Sequence, residues 1–197
     1  MANNNYHHGD LKAELIREGL LILDKEGYEG LSLRKVAKAC GVSQTAPYRH
    51  FKDKNELINA IRVEALRAFN ERLERAVNKY PDNPARQLDE MGVAYIQFFV
   101  ENPEYLRLLF LSKYQNNNGT SIDNNINLSS HELPFHTFYK TVESFHKATN
   151  DPTLGLEEIT LYCWGLVHGI SILIANNDIN LETDYLTLIR NIFKVIK

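Results

Sequence analysis

The chain has 197 residues, of which 44% are hydrophobic and 24% are charged, a composition that excludes a disordered chain and predicts one or two globular domains. It starts without a basic and apolar leader, and no run of about 18 uncharged apolar residues follows, so we expect neither a signal peptide nor a membrane span. Cys40 and Cys163 both lie in apolar helical patterns, which argues against a disulfide framework and, with the missing leader, favours the cytoplasm.

The charge is unevenly distributed along the chain. The net charge is −3, yet residues 33–54 carry +5, so the remaining residues together carry −8. The six basic residues of this segment, set against the acid Asp53, are Arg34, Lys35, Lys38, Arg49, Lys52 and Lys54. The negative net charge alone argues weakly against nucleic acid, but a compact basic segment on an acidic body is typical of a localised phosphate-binding surface.

Apolar residues recur at helical spacing along almost the whole chain, which predicts an all-α fold of about nine helices. The three N-terminal helices are expected over residues 10–26, about 33–40 and about 44–51. Gly27 and Gly41 are the stop signals of the first two, and Ser32 and Ser43 are the expected N-caps of the second and third. Pro47 follows the first turn of the third helix, where it is expected to remove one backbone hydrogen bond.

The helical pattern continues through the rest of the chain. A long helix is predicted from Lys54 to about Lys79, and Pro81 and Pro84 end it. Its inward positions are Leu57, Ile58, Ile61, Ala65, Phe69, Leu73 and Ala76. Later helices are predicted over residues 85–101, from 103 to about 110, from about 134 to 149, over 156–176 and over 182–196. The Asn-rich residues 115–130 lack apolar periodicity, so we expect a loop there.

Residues 33–51 have the pattern that a helix-turn-helix requires. Ala37 is small where a second helix must cross the first, Gly41 can make the sharp turn, and Val42 can fill the core beneath it. In such a unit the second helix lies in the major groove with its N-terminal residues at base edges. The alternative to a helix-turn-helix is an ordinary pair of short helices with a solvated basic face and no role in DNA binding.

Individual residues of this segment suit individual DNA contacts. Gln44 and Thr45 can hydrogen-bond to base edges, whereas Arg49 suits either a base or a phosphate. Phosphate contacts are expected from Tyr48, His50 and Lys54. The complete set of predicted DNA-binding residues is Ser32, Arg34, Ser43, Gln44, Thr45, Ala46, Pro47, Tyr48, Arg49, His50 and Lys54.

Four stretches of the chain resemble the DNA-binding domain of the tetracycline-repressor (TetR) family. They read GYEGLSLRKVA at 27–37, CGVS at 40–43, APYRHF at 46–51 and KNEL at 54–57, and the opening YHHGDL at 6–11 resembles the start of one subgroup. The resemblance covers residues 6–65, with Pro47 standing where many members have Leu. It implies an N-terminal DNA-binding domain over residues 1–53 and a helical ligand-binding and dimerisation domain over residues 54–197.

The resemblance also implies a mode of action. Members of the family are homodimers that bind a near-palindromic operator in double-stranded DNA and leave it when a small molecule, here unidentified, binds the C-terminal domain. Two recognition helices about 34 Å apart would read the two half-sites. The long helix that begins at Lys54 is the expected lever between pocket and DNA. We therefore expect a repressor and not an enzyme.

Residues 164–169 read WGLVHG, which resembles a Trp-His-Gly signature in the C-terminal domain of one TetR subfamily. Two interpretations of this half are open, and they can hold together. In the first, the helices over 156–176 and 182–196 pair with their copies in a second subunit through Leu166, Ile170, Leu173, Ile189, Ile192, Phe193 and Ile196. In the second, an aromatic pocket takes a small molecule. Its predicted lining is Tyr95, Phe98, Phe99, Phe138, Phe145, Trp164 and His168.

Other functional classes are less well supported by the sequence. HELPFH at 131–136 lacks the spacing of a zinc-protease motif, because its second histidine is one residue too far along and Pro134 interrupts the helix. Neither a Walker-type loop nor a Gly-x-Ser-x-Gly elbow is present. We therefore expect no metal and no cofactor. The alternative is a helical small-molecule-binding module or an enzyme that uses the aromatic pocket, and a lack of salt-dependent DNA affinity would favour it.

Overall fold

The computed structural model describes residues 11–111, 134–149, 155–179 and 184–195, and within these ranges the chain is helical and contains no β-strand. The eight α-helices are α1 (Leu11–Gly30), α2 (Leu33–Ala39), α3 (Lys54–Val77), α4 (Pro84–Glu101), α5 (Pro103–Leu106), α6 (Phe135–Thr149), α7 (Leu156–Ala175) and α8 (Tyr185–Val195). A 3₁₀ helix, Ala46–Arg49, lies between α2 and α3, and a π-helical turn, Arg107–Leu111, follows α5. The predicted all-α class with about nine helices is confirmed.

Glycine, serine and proline set the helix ends, with two differences from the sequence prediction. Gly27 leaves helical geometry with a φ of 72° and kinks α1, but helical backbone resumes and α1 ends only at Gly30. Ser32 caps α2 by accepting a hydrogen bond from the Lys35 backbone N–H at 3.2 Å, as predicted. Pro84 opens α4, because the first helical position needs no N–H, whereas α3 ends at Val77, before both Pro81 and Pro84.

Some predicted features lie outside the described residues. They are the opening residues 6–10, the Asn-rich residues 115–130, His131 of the rejected zinc motif, and Ile196 of the predicted interface.

The described residues form two compact units. Unit 1 comprises those within 1–64 and 107–122, and unit 2 comprises those within 65–106 and 123–197. Helix α3 contributes its first residues to unit 1 and its remaining residues to unit 2. The boundary between residues 53 and 54, which the family resemblance implies for the DNA-binding and ligand-binding domains, stays a prediction.

Unit 1 is built on α1, α2 and the start of α3. A Cβ at Gly19 would lie 3.1 Å from Cδ1 of Ile61 and 3.2 Å from Cδ2 of Leu57, so glycine permits the close approach of α1 and α3. Arg107 donates from Nε and Nη2 to the two carboxylate oxygens of Asp24, at 2.5 and 2.8 Å, which fixes the π-helical turn to α1.

Helix α4 is the central helix of unit 2. It packs against α6, α7 and α8, and its residues 91–96 are all buried. Phe69 of α3 anchors an aromatic cluster on it, with ring centroids 5.0 Å from Phe98, 4.7 Å from Phe99 and 5.0 Å from Tyr95. The predicted inward positions of α3, including Phe69, are buried. The side chain of Phe69 therefore packs against the α4 residues that the sequence predicted to line a ligand pocket.

Helix α7 combines high hydropathy with low burial. Its mean hydropathy reaches 1.5, and by length and composition it is the one described helix that could cross a membrane, but a single such helix is weak support for a span. Only 17% of its most apolar window is buried within the chain. Leu161, Tyr162 and Leu173 are 57%, 51% and 43% exposed. One face of α7 is thus apolar and uncovered by the described residues.

Candidate nucleic-acid interface and ligand cavity

The turn after α2 has the geometry of a glycine-terminated helix. Gly41 adopts a φ of 67°, the left-handed region that favours glycine. The Gly41 N–H donates to the Lys38 carbonyl at 3.2 Å, and the Val42 N–H donates to the Ala37 carbonyl at 3.0 Å. These two bonds form a Schellman motif, which satisfies the last carbonyls of α2 and reverses the chain.

The third helix differs from its sequence prediction in type, length and cap. It is a 3₁₀ helix of four residues, and its N-cap is Thr45, which makes no side-chain capping bond. Ser43 is therefore not the cap: its hydroxyl lies 3.2 Å from that of Thr45. Pro47 lies in the first turn, where its missing N–H has no helical partner, so the predicted loss of a hydrogen bond does not occur.

Residues 43–49, hereafter the recognition segment, present polar side chains on one side and apolar ones on the other. The exposed side chains are Ser43, Gln44, Thr45, Tyr48 and Arg49. Ala46 and Pro47 are buried, as is Phe51 just beyond the segment. Among the predicted DNA-binding residues, Ala46 and Pro47 thus hold the segment on the core of unit 1 and do not contribute to its exposed face.

The six basic residues within residues 33–54 divide into two groups. Lys35 forms an ion pair with Glu26, and Lys54 donates to the Tyr28 carbonyl at 3.0 Å with its Nζ 3.6 Å from the Tyr28 ring centroid. Lys54, predicted to contact phosphate, thus packs on the end of α1. The exposed cations are Arg34, Lys38, Arg49 and Lys52. They give the surface around the recognition segment its positive charge.

Unit 2 contains a buried polar network between α4 and α7. The Trp164 indole Nε1–H donates to the Tyr95 hydroxyl at 3.1 Å, and that hydroxyl lies 3.0 Å from Nδ1 of His168. Trp164 can only donate, so the Tyr95 hydroxyl keeps its own proton for Nδ1 of a neutral His168 in the tautomer protonated at Nε2. Burial raises the pKa of Tyr95 and lowers that of His168. Both side chains are therefore held neutral.

A cavity of about 190 Å³ lies in unit 2, between α4, α6, α7 and α8. Twelve residues line it: Leu88, Asp89, Met91, Gly92, Phe138, Phe145, Ile159, Tyr162, Cys163, Leu166, Val167 and Phe193. Burial raises the pKa of the Cys163 thiol to about 11, which keeps the thiol neutral, and Asp89 is the acidic residue of this lining.

Two of the seven residues of the predicted ligand pocket line this cavity, and the pocket itself stays a prediction. Phe138 and Phe145 line the cavity. Three others, Tyr95, Phe98 and Phe99, instead pack around Phe69. Trp164 and His168 contact the Tyr95 hydroxyl and are not among the lining residues. The sequence reasoning missed the α4 stretch 88–92. Its signal was the continuation of the apolar stripe of Met91 one turn back to Leu88, with Asp89 beside it.

The predicted interface residues fall in three environments. Leu166 and Phe193 line the cavity, and Ile189 is fully buried within the chain. Leu173 is exposed, whereas Ile170 and Ile192 are half-buried. Of these, Leu173 is the residue best placed on a free surface.

Sequence comparison links unit 1 to a known family. Residues 15–61 match the family described as bacterial regulatory proteins, tetR family. Over 89 residues, 45% of this chain and 47% of the relative, the chain is 28% identical to an HTH-type transcriptional regulator of Staphylococcus aureus (strain USA300). Over 56 residues, 28% of this chain and 25% of the relative, it is 43% identical to the tetracycline repressor protein class C of Escherichia coli. The matches thus span about half of these relatives' length or less.

Solved structures are similar over nearly the whole chain. A protein of unknown function from Rhodococcus sp. RHA1 superposes with a TM-score of 0.74 at 24% identity, covering 98% of this chain and 96% of that one. The transcriptional regulator FadR from Bacillus subtilis, solved in complex with stearoyl-CoA, gives a TM-score of 0.64 at 13% identity, covering 93% and 96%. The chain is thus an all-α protein with a tetR-like fold. Within this fold, residues 15–61 are the part of the chain that matches the tetR family of bacterial regulatory proteins.

Proposed function

We propose that this protein is a homodimeric, sequence-specific DNA-binding transcriptional regulator, which represses from a near-palindromic operator and releases it when a small molecule binds unit 2. The recognition segment carries the proposal. Its exposed Gln44, Thr45 and Arg49 are hydrogen-bonding side chains suited to base edges, and the Schellman turn at Gly41 fixes their direction.

The shortness of the recognition segment supports a dimer. A four-residue 3₁₀ helix with a rise of about 2 Å per residue extends only about 8 Å, which is enough for a few base pairs. Specific affinity then requires two copies that read two half-sites about one helical turn apart. A palindromic operator follows from the two-fold symmetry of such a dimer.

The uncovered face of α7 supports the same conclusion. Leu161, Gly165, Gly169 and Leu173 are spaced four residues apart, so they share one stripe, and a Cβ at either glycine would meet nothing within 4 Å. Such a stripe of large and small residues suits close helix packing against a second copy. We propose this stripe as the core of the dimer interface, with Ile170 and Ile192 beside it.

We further propose that unit 2 is a Trp-His-Gly type of sensor domain. The supporting observation is that Trp164 and His168, the two side chains of that signature, meet at one hydroxyl, that of Tyr95. In this role they stabilise the contact between α4 and α7, two helices that contribute to the cavity.

A duplex titration tests the proposed function. The protein is titrated against duplex from its own upstream region and against scrambled duplex at several salt concentrations. We expect at least about a thousandfold preference for the upstream duplex and a steep salt dependence from phosphate contacts. Arg49→Ala should weaken specific binding by about 5- to 150-fold, which corresponds to about 1–3 kcal/mol.

Arg67→Ala is the matched control, because Arg67 is an exposed arginine of unit 2 that pairs with Glu71. It should leave operator affinity unchanged. Equal loss in both variants would show a general charge effect and would contradict specific readout by the recognition segment. Absence of salt-dependent binding to any duplex would overturn the proposed function and leave a small-molecule-binding module as the better description.

A further inference from the structure

We propose that the cavity of unit 2 binds a compact, single-ring apolar molecule that carries a positively charged amine, with the ring among the aromatic side chains and the amine facing Asp89. The inference rests on the proposed function only in calling that molecule the effector. Binding to the cavity can be measured without DNA.

The size of the cavity sets the first limit on the ligand. A cavity of about 150 Å³ lined by apolar side chains accommodates benzene, whereas pockets for drug-sized ligands measure about 300–1,000 Å³. At about 190 Å³, the cavity of unit 2 has room for one ring and a short substituent.

The lining sets the second limit. Phe138 and Phe145 of α6 and Phe193 of α8 offer aromatic faces and edges, and Leu88, Met91 and Val167 complete an apolar wall. An aromatic ring in this space gains both apolar burial and edge-to-face contacts. A sugar or another polyol would lose hydrogen bonds to water that these side chains cannot replace.

The charge of the lining sets the third limit. Asp89 is the acidic residue of the lining, and the other polar groups there are the Tyr162 hydroxyl and the Cys163 thiol, whose pKa burial raises to about 11. Nearby, Arg190 donates from Nη1 and Nη2 to the two carboxylate oxygens of Glu90, at 2.7 and 3.3 Å, and also interacts electrostatically with Asp89. Arg190 lies outside the lining.

An ammonium group in the cavity would therefore add a second cation, besides Arg190, to the half-buried Asp89 carboxylate at the edge of an apolar lining. A carboxylate or phosphate ligand would be repelled by the same group, and the lining itself contains no basic residue. Among ligands of one size, the order of affinity should be amine first, neutral second and acid last.

Three probes of matched size test this order: benzylamine, toluene and benzoate. Affinity for the full chain is measured by calorimetry, and the fluorescence of Trp164, the one tryptophan of the sequence, reports on α7 beside the cavity. We expect benzylamine to bind at least about tenfold more tightly than toluene, as a charge-assisted hydrogen bond would give, and benzoate not to bind.

Two variants locate the binding. Asp89→Asn keeps the shape of the side chain and should remove the preference for benzylamine over toluene while leaving toluene affinity unchanged. Cys163→Phe should fill the cavity and abolish binding of every probe, with circular dichroism as the check that the helices remain.

Equal affinity for the three probes, or no binding of any of them because a second copy covers the cavity, would overturn the inference. So would a preference for benzylamine that survives Asp89→Asn. Operator binding is measured in its own assay, so loss of the DNA result would overturn the proposed function and leave the cavity result standing.

Discussion

At the scale of the residue, the Tyr95 hydroxyl joins α4 to α7. It accepts from Trp164 and donates to His168 inside an aromatic cluster, so every polar atom of the trio that faces the core has a partner. The neutral form of His168 is the one that fits, because protonation at Nδ1 would place a second donor against the Tyr95 proton. The network therefore links stability to pH.

Acidification should destabilise the protein through His168. Its folded pKa lies below the unfolded value of about 6.5, so as pH falls through about 6.5 the unfolded chain gains a proton that the folded chain does not. The contribution of neutral His168 to the free energy of unfolding is therefore complete above about pH 6.5 and declines below that pH. We expect the free energy of unfolding, measured in urea from about pH 7.5 to about pH 5.5, to fall more steeply for the native chain than for His168→Gln. Parallel slopes would contradict this.

At the scale of the element, the turn between α2 and the recognition segment depends on one backbone conformation. Gly41 has a φ of 67°, and the backbone N–H groups of Gly41 and Val42 donate the two hydrogen bonds of the turn. A side chain with a Cβ in this region meets the following carbonyl oxygen, which costs about 1–2 kcal/mol. The direction of the recognition segment depends on that turn.

Gly41→Ala should therefore lower the free energy of unfolding by about 1–2 kcal/mol and reduce operator affinity as well. Gly41→Asn is the matched control, since Asn tolerates left-handed backbone, and its loss should be clearly smaller. Chemical denaturation and the duplex titration measure the two effects. An alanine variant as stable as the asparagine variant would show that the turn relaxes without cost.

At the scale of the whole molecule, α7 leaves an apolar face that the described residues do not cover. Leu161 and Leu173 are more than two-fifths exposed, while the glycines between them leave room for a neighbouring backbone. Covering such a stripe with a second copy removes apolar area from water at about 25 cal/mol per Å². The same contact would bring two recognition segments to one operator.

Leu161→Glu combined with Leu173→Glu should convert the proposed dimer to a monomer, because two carboxylates would be buried without partners. Light scattering should show half the native mass, and operator affinity should fall with it. Val63→Glu is the control, since Val63 of α3 is 63% exposed and lies off the stripe. A native mass in the double variant would place the interface elsewhere.

Local sequence specifies most of the helices, the glycine-terminated turn and the inward face of α3, because periodicity and capping are properties of neighbouring residues in the chain. The sequence also indicated the recognition segment, but not its 3₁₀ form. The tertiary structure decided which aromatic residues are core and which line a cavity. The spacing of Tyr95, Phe98 and Phe99 predicted a pocket wall. In the structure these three rings pack against Phe69, so they belong to the core. A cavity is the space left where side chains of several helices meet, so no single stretch of sequence specifies it.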